Sequence, residues 1–144
     1  MDRFNSAAKW VLIRAHKEAI KNHQKFIQPH HLLLSLAELS EIGGGIAYEV
    51  LIQTGAGPHR ISDAISIIEK KGGNISDIAQ VSPEVEKVLK NTIEKAIELK
   101  NQYSITPEHI LLEILNTKGA TQEFLNRLDI NPKVMSENII KMIK

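Results

Sequence analysis

One phrase occurs twice in this chain. Residues 26–36 read FIQPHHLLLSL, and residues 104–115 read SITPEHILLEIL. Each runs Ile, a polar residue, Pro, one variable residue, His, then an apolar run with one polar interruption. At 144 residues the chain is the size of one ordinary domain, or of two small units packed together. A duplication on this scale constrains the architecture more than any other feature. Whatever one copy folds into, the other must fold into as well, and each is too short to bury its apolar face alone.

The duplication extends to both sides of the phrase. Ala8, Val11, Leu12, Ala15, Ala19 and Ile20 recur at three- and four-residue intervals, which is one face of an amphipathic helix. Val85, Val88, Leu89, Thr92, Ala96 and Ile97 do the same, with Ala19 matching Ala96. Further on, EVLIQTGAGPHRISDAISII matches EFLNRLDINPKVMSENIIKM, so that Leu51 pairs with Leu125, Pro58 with Pro132, Ile61 with Met135 and Ile65 with Ile139. The middle loop of the first copy, ELSEIGGGIA, is four residues longer. The pattern predicts helices over 5–22, 29–39, 44–54 and 58–71, then over 82–100, 107–116, 119–128 and 132–143. The first repeat thus covers about 4–71, a linker 72–81, and the second repeat about 82–143.

Local chemistry supports these starts. Ser82-Pro83, Thr106-Pro107 and Asn131-Pro132 each set a capping side chain before a proline at the first helical position, where a missing N–H costs nothing. Asn5 can cap the first helix; Gly57-Pro58 and Gln28-Pro29 are weaker starts, and Gly55 and Gly72-Gly73 are stop signals. No segment of useful length alternates as a half-buried strand would. The expected fold class is all-α: two tandem four-helix repeats, related by a pseudo-twofold and packed as one compact domain. With aromatics at only 4%, the core must be built from Leu, Ile, Val and Ala, which suits helices packed on helices. Leu32-Leu33-Leu34 and Ile110-Leu111-Leu112 are expected to point inward.

Several function classes find no support. Residues 1–72 hold 9 Lys/Arg against 7 Asp/Glu, and residues 73–144 hold 9 against 10, so neither half has the basic surplus of a nucleic-acid binder. There is no cysteine, hence no disulfide and no thiolate chemistry. No apolar run approaches the roughly 20 residues of a membrane span, and the N-terminus lacks a signal-peptide core. The expectation is a soluble, cytosolic chain, or an organellar one if a transit peptide has been removed. Gly43-Gly44-Gly45 is followed by Ile-Ala-Tyr rather than Lys-Ser/Thr, so it reads as a loop and not a phosphate cradle.

Six histidines raise the question of a metal. No pair has the i, i+4 spacing of a zinc helix, and the adjacent His30 and His31 point about 100° apart on a helix. His31 and His109 recur in register at the third position of a helix, where an imidazole bonding to the helix end is the expected role. Glu84, Glu86 and Glu94 alternate with Lys87, Lys90 and Lys95 and read as solvated helix-surface charges. No catalytic constellation, metal or cofactor is called for. Trp10 sits one position from the Val11/Leu12 stripe and is expected at the edge of the core.

Taken in order, these phrases resemble the N-terminal domain of the Clp ATPases, the ring-forming unfoldases, with the ClpC/ClpA type favoured over the ClpB type. FIQPHHLLLSL and SITPEHILLEIL are similar to the family's Y-I-G-T-E-H-L-L-L-G-L phrase, RFNSAAKWVL to its RFTERARKVL, and VSPEVEKVLKNT to its FTPRAKKVLELS. The likeness covers about residues 3 to 143. It implies a non-catalytic binding module that docks adaptor proteins and unfolded or tagged substrates for a hexameric ATPase. The isolated domain would be a monomer, without nucleic-acid or membrane partners. The alternative is a stand-alone interaction protein that regulates a Clp complex, and the reading frame past Lys144 separates the two.

The resemblance also implies site residues. In ClpC-type domains the Glu of each T-E-H phrase stands at a helix start and helps recognise phosphorylated arginine. Thr106 and Glu108 keep that pattern in the second copy; in the first, Gln28 and His30 stand at the same positions. A carboxylate holds a guanidinium, and free N–H groups at a helix start favour the phosphate. Glu108 can otherwise serve a helix dipole, worth about 0.3–1 kcal/mol. A groove between the starts of the first and fifth helices is the family's second site. Here it carries Val81 where an aromatic is common and Glu86 where a Lys is common.

Overall fold

The computed structural model describes residues 3–98 and 104–143. Among these, eight α-helices follow one another: α1 (Ser6–Lys21), α2 (Pro29–Ala37), α3 (Ile46–Gln53) and α4 (Pro58–Ile68), then α5 (Pro83–Glu98), α6 (Pro107–Leu115), α7 (Ala120–Arg127) and α8 (Pro132–Ile143). The last two positions expected of the fifth helix, 99 and 100, lie outside the described residues. The all-α reading holds. No described helix is long and apolar enough to cross a membrane.

The helix starts follow from their caps. Asn5 Oδ1 accepts from the Ala8 amide at 2.8 Å, Ser82 Oγ from Val85 at 3.1 Å and Asn131 Oδ1 from Val134 at 3.1 Å. Three ends depart from the expected ranges. α2 stops at Ala37 and passes into a 3-10 turn, Leu39–Ile42, which buries Leu39. Gly43, Gly44 and Gly45 all have positive φ, so α3 starts only at Ile46. α4 ends at Ile68 because Glu69 swings into extended backbone, φ −127° and ψ 111°.

α2 and α6 form the centre. Leu32, Leu33 and Leu36 from α2 and Ile110, Leu111 and Ile114 from α6 are almost wholly removed from water. Each such side chain contributes about 1.5–3 kcal/mol on burial. Leu34 is buried too, whereas Leu112 is only half-buried. α1 lays its small stripe, Ala8, Val11, Ala15 and Ala19, against this centre, and α5 contributes Val85, Val88 and Ala96 to the same continuous core. Trp10 packs at its edge, with the Arg14 guanidinium carbon 5.5 Å from its ring centroid.

The two copies are also tied crosswise by short stretches of parallel backbone pairing. Phe26–Ile27 (β1), just before α2, pairs with Gln80–Val81 (β2), just before α5. Phe4, just before α1, bridges to Ile105, just before α6. The end of the expected linker 72–81 is therefore a strand. Ser82 donates to Ile27 O at 3.0 Å and Asn5 to Ile105 O at 2.9 Å. Each copy's first helix thus begins beside the other copy's second helix, and the candidate site residues collect at these crossings.

Candidate functional site

Both copies of the duplicated phrase build the same helix start. Pro29 and Pro107 occupy the first helical position, so the N–H most in need of a partner is that of the residue before. The third-position histidine supplies that partner. His31 Nδ1 accepts from the Gln28 amide at 2.8 Å, and His109 Nδ1 from the Thr106 amide at 3.0 Å. Imidazole here does the work of the Glu or Gln in a capping box. Thr106 Oγ1 also lies 3.0 Å from His109 Nδ1.

This fixes the chemistry of the other ring nitrogen. A neutral imidazole whose Nδ1 accepts carries its hydrogen on Nε2, which can then only donate. In the first copy that hydrogen goes to Glu69, whose carboxylate lies 3.0 Å from His31 Nε2. His30 Nε2 reaches the same carboxylate at 2.6 Å, and Asn22 Nδ2 donates to it at 3.2 Å. Two adjacent histidines expected to diverge therefore converge, because Glu69 leaves α4 to stand between them. The group His30, His31 and Glu69 resembles a metal-ligand set in its spacing. It does not fit a cation, since the Nε2 lone pair of His31 would have to be freed by breaking the Gln28 cap. Burial opposes ionisation of Glu69, but the hydrogen bonds from His30 and His31 hold its carboxyl down at about 2. Burial pushes the His30 imidazole below its ordinary value, against the bond to Glu69. The result is a carboxylate accepting from two imidazole N–H groups.

Around this clasp opens a cleft of about 440 Å³, whose lining includes Gln28, His30, Glu69, Glu84, Thr121 and Phe124. The His30 and Phe124 rings lie 5.5 Å apart. Gln28 and His30 are thus brought together in one place, facing the start of α7. Thr106 and Glu108 sit at the equivalent place in the second copy. There Glu108 Oε2 accepts from the Ala47 amide at 3.2 Å, so it serves the N-terminus of α3 in the other repeat rather than that of its own helix. Val81 and Glu86 lie apart from both, in a groove of about 500 Å³ shared with Leu89, Lys90 and Ile93.

Two functional-looking carboxylates escaped the sequence. Glu69 ends an amphipathic helix like any surface residue; only its register partner, Ile143, marks it as unlike its twin. Glu113, in register with Ser35, is buried at 4% exposure and ion-paired to Lys95. Lys95 is therefore not one of a row of purely solvated helix charges. The ordinary signals of helix-surface charge hid both contacts.

The profile of the Clp repeat (R) N-terminal domain matches residues 3–128. Among curated relatives, the negative regulator of genetic competence ClpC/MecB of Bacillus subtilis (strain 168) is 27% identical over 142 residues, which is 98% of this chain and 17% of that protein. The chloroplastic chaperone protein ClpC1 of Arabidopsis thaliana is 31% identical over 147 residues, covering 99% of this chain and 15% of the relative. The chain therefore spans about a sixth of the length of these relatives. Among solved structures, the N-terminal domain of the chaperone ClpD from Arabidopsis thaliana superposes with a TM-score of 0.74 at 22% identity, covering 99% of both chains. The Hsp104 N-terminal domain from Candida albicans gives 0.78 at 14% identity, over 96% of this chain and 90% of that one. Likeness at these identities is a likeness of fold.

Proposed function

The chain belongs to the Clp repeat N-terminal domain family, and from that premise we propose that it is a docking domain for adaptor proteins and for unfolded or tagged substrates. In this reading both repeats, about 4–71 and 82–143, act as one monomeric module. The module delivers clients to a hexameric ATPase of the ClpC/ClpA type for unfolding or proteolysis, in the cytosol or an organelle. It performs no chemistry of its own.

The observation that carries this reading is the placement of open, partly apolar clefts at the crossed helix starts. The His30/Glu69 cleft and the Val81/Glu86 groove each combine apolar walls with charged rims. Phe26 of β1 and Val81 of β2, on the two strands that pair across the copies, are each 41% exposed. Such mixed surfaces suit polypeptide recognition. Phosphoarginine would be read at Thr106 and Glu108. One oxygen of Glu108 already serves α3, which leaves the other for a guanidinium.

The test is a titration of the isotope-labelled chain, followed by backbone amide shifts. The titrants are an unfolded model protein, an adaptor and a phosphoarginine peptide. Shifts are expected at the starts of α1, α2, α5 and α6. Saturating additions that move no resonance at any of the four would refute the reading.

A further inference from the structure

The two copies differ most at the place where Glu69 closes the first. In the registers set by the repeat, His31 corresponds to His109, Glu69 to Ile143, Ser35 to Glu113 and Glu18 to Lys95. The second copy therefore keeps the imidazole and lacks the carboxylate that receives its hydrogen. In place of that carboxylate stands a pocket of about 550 Å³. Ala96, Leu112, Ile140 and Ile143 give it apolar walls, and His109 lines it.

The hydrogen-bond logic of this pocket is set by its twin. His109 Nδ1 is taken by the Thr106 amide, so Nε2 is a donor. Among the described residues nothing accepts from it. Burial holds the imidazole below its ordinary value, against the charge of Glu108, so it stays neutral and keeps that single hydrogen. Glu113, ion-paired to Lys95, accepts no hydrogen bond from the imidazole. That pair also makes room for another negative charge. The first copy carries two carboxylates at these positions, Glu18 and Glu69, with no cation; the second carries one of each sign. One added carboxylate leaves the second copy less negative than the first already is. Asn116 and Ser136 add polar groups to the lining.

We propose that this pocket receives the C-terminal residue of a polypeptide. Its α-carboxylate takes the place that Glu69 holds in the first copy and accepts from His109 Nε2–H. Its apolar side chain lies against Leu112, Ile140 and Ile143, and Asn116 and Ser136 meet the last peptide group. The inference rests on the docking reading above and makes it specific, in that one of the client's recognised features is a free, apolar chain end.

The test uses the labelled 144-residue chain and one decapeptide ending in Leu, prepared with a free α-carboxylate and with a C-terminal amide. The free acid should shift resonances of residues 109–113 and 136–143 and bind about tenfold or more tightly than the amide, as loss of a charge-assisted bond predicts. Ile143→Glu, at a site 41% exposed on the last turn of α8, sets a competing carboxylate in the pocket wall and should abolish binding. Ile143→Leu should preserve it. Equal affinity of acid and amide, shifts confined elsewhere, or undiminished binding by Ile143→Glu would overturn the proposal. Decanoate binding as tightly as the peptide would overturn the polypeptide assignment. If the unfolded protein still shifts the starts of α1 and α5 in any of these cases, the docking reading survives; if it moves nothing, both fall.

Discussion

Replacing Glu69 by Gln should cost the chain about 3 kcal/mol at neutral pH, and the whole difference should vanish in acid. The Glu69 side chain is 8% exposed and accepts from His30, His31 and Asn22. Glutamine keeps the shape but turns one acceptor into an NH₂ donor. That donor meets the fixed N–H of His31, or that of His30 unless this ring changes tautomer, and leaving a buried polar group unpaired costs about 1–3 kcal/mol. The pH dependence gives an independent figure. The carboxyl falls from an ordinary 4.5 to about 2 on folding, and at ~1.4 kcal/mol per unit this is also about 3 kcal/mol. The sign follows from linkage. A carboxyl whose value is depressed by folding stabilises above its unfolded value of 4.5, and that stability is lost as pH falls through about 2. His30 acts in the same direction at higher pH. Its value is lowered by folding, so the unfolded chain binds the proton first as pH falls below 6.5, and stability drops there too. Urea unfolding followed by far-UV circular dichroism, from pH 8 to pH 2, measures both. The wild-type and Glu69→Gln curves should converge between pH 4.5 and 2. Parallel curves across that window, or a difference below about 0.5 kcal/mol at pH 7, would refute the clasp as a stabilising contact.

Glu108→Ala should destabilise by about 0.5–2 kcal/mol, since it removes the cap from α3, and urea midpoints would register it. Hydrogen exchange at residues 46–50 should speed up more than in α6 itself; the reverse would mean that Glu108 serves its own helix. Leu33→Ala, at a side chain 1% exposed in the central helix, should cost about 2–5 kcal/mol by calorimetry or urea. Gly72→Ala should be costly despite its surface position. A Cβ there would lie 2.1 Å from the His23 carbonyl oxygen, so the segment after α4 must move off the α1–α2 loop. A change of about 1–3 kcal/mol is expected, with weaker protection of the Gly72 amide that bonds Asn22.

How much of this was legible in advance depends on the range of the interaction. The histidine role at the two helix starts was readable, because the residue before the helix and the third-position His are three residues apart and their geometry is local. The eight helices were readable for the same reason, since periodicity and caps act within a few residues. The crossed backbone pairing was not. Phe26–Ile27 and Gln80–Val81 are too short to show an alternation, and they exist only because the packed copies bring them side by side. The convergence of His30 and His31 on Glu69 was hidden likewise, because it needs α4 to end three residues before its expected stop.

The sequence by itself determined that the chain is a doubled helical unit with one shared core, because a repeated apolar stripe has only its twin to bury against. It also determined which residue types stand at the two helix starts. Tertiary structure alone decided what these and other residues do beyond their own helix. Glu108 caps a helix of the opposite repeat, Lys95 neutralises a carboxylate buried on the next helix, and His31 is satisfied by a glutamate 38 positions away. Each of these is a contact between different elements, and its partner is set by how the helices pack rather than by local propensity.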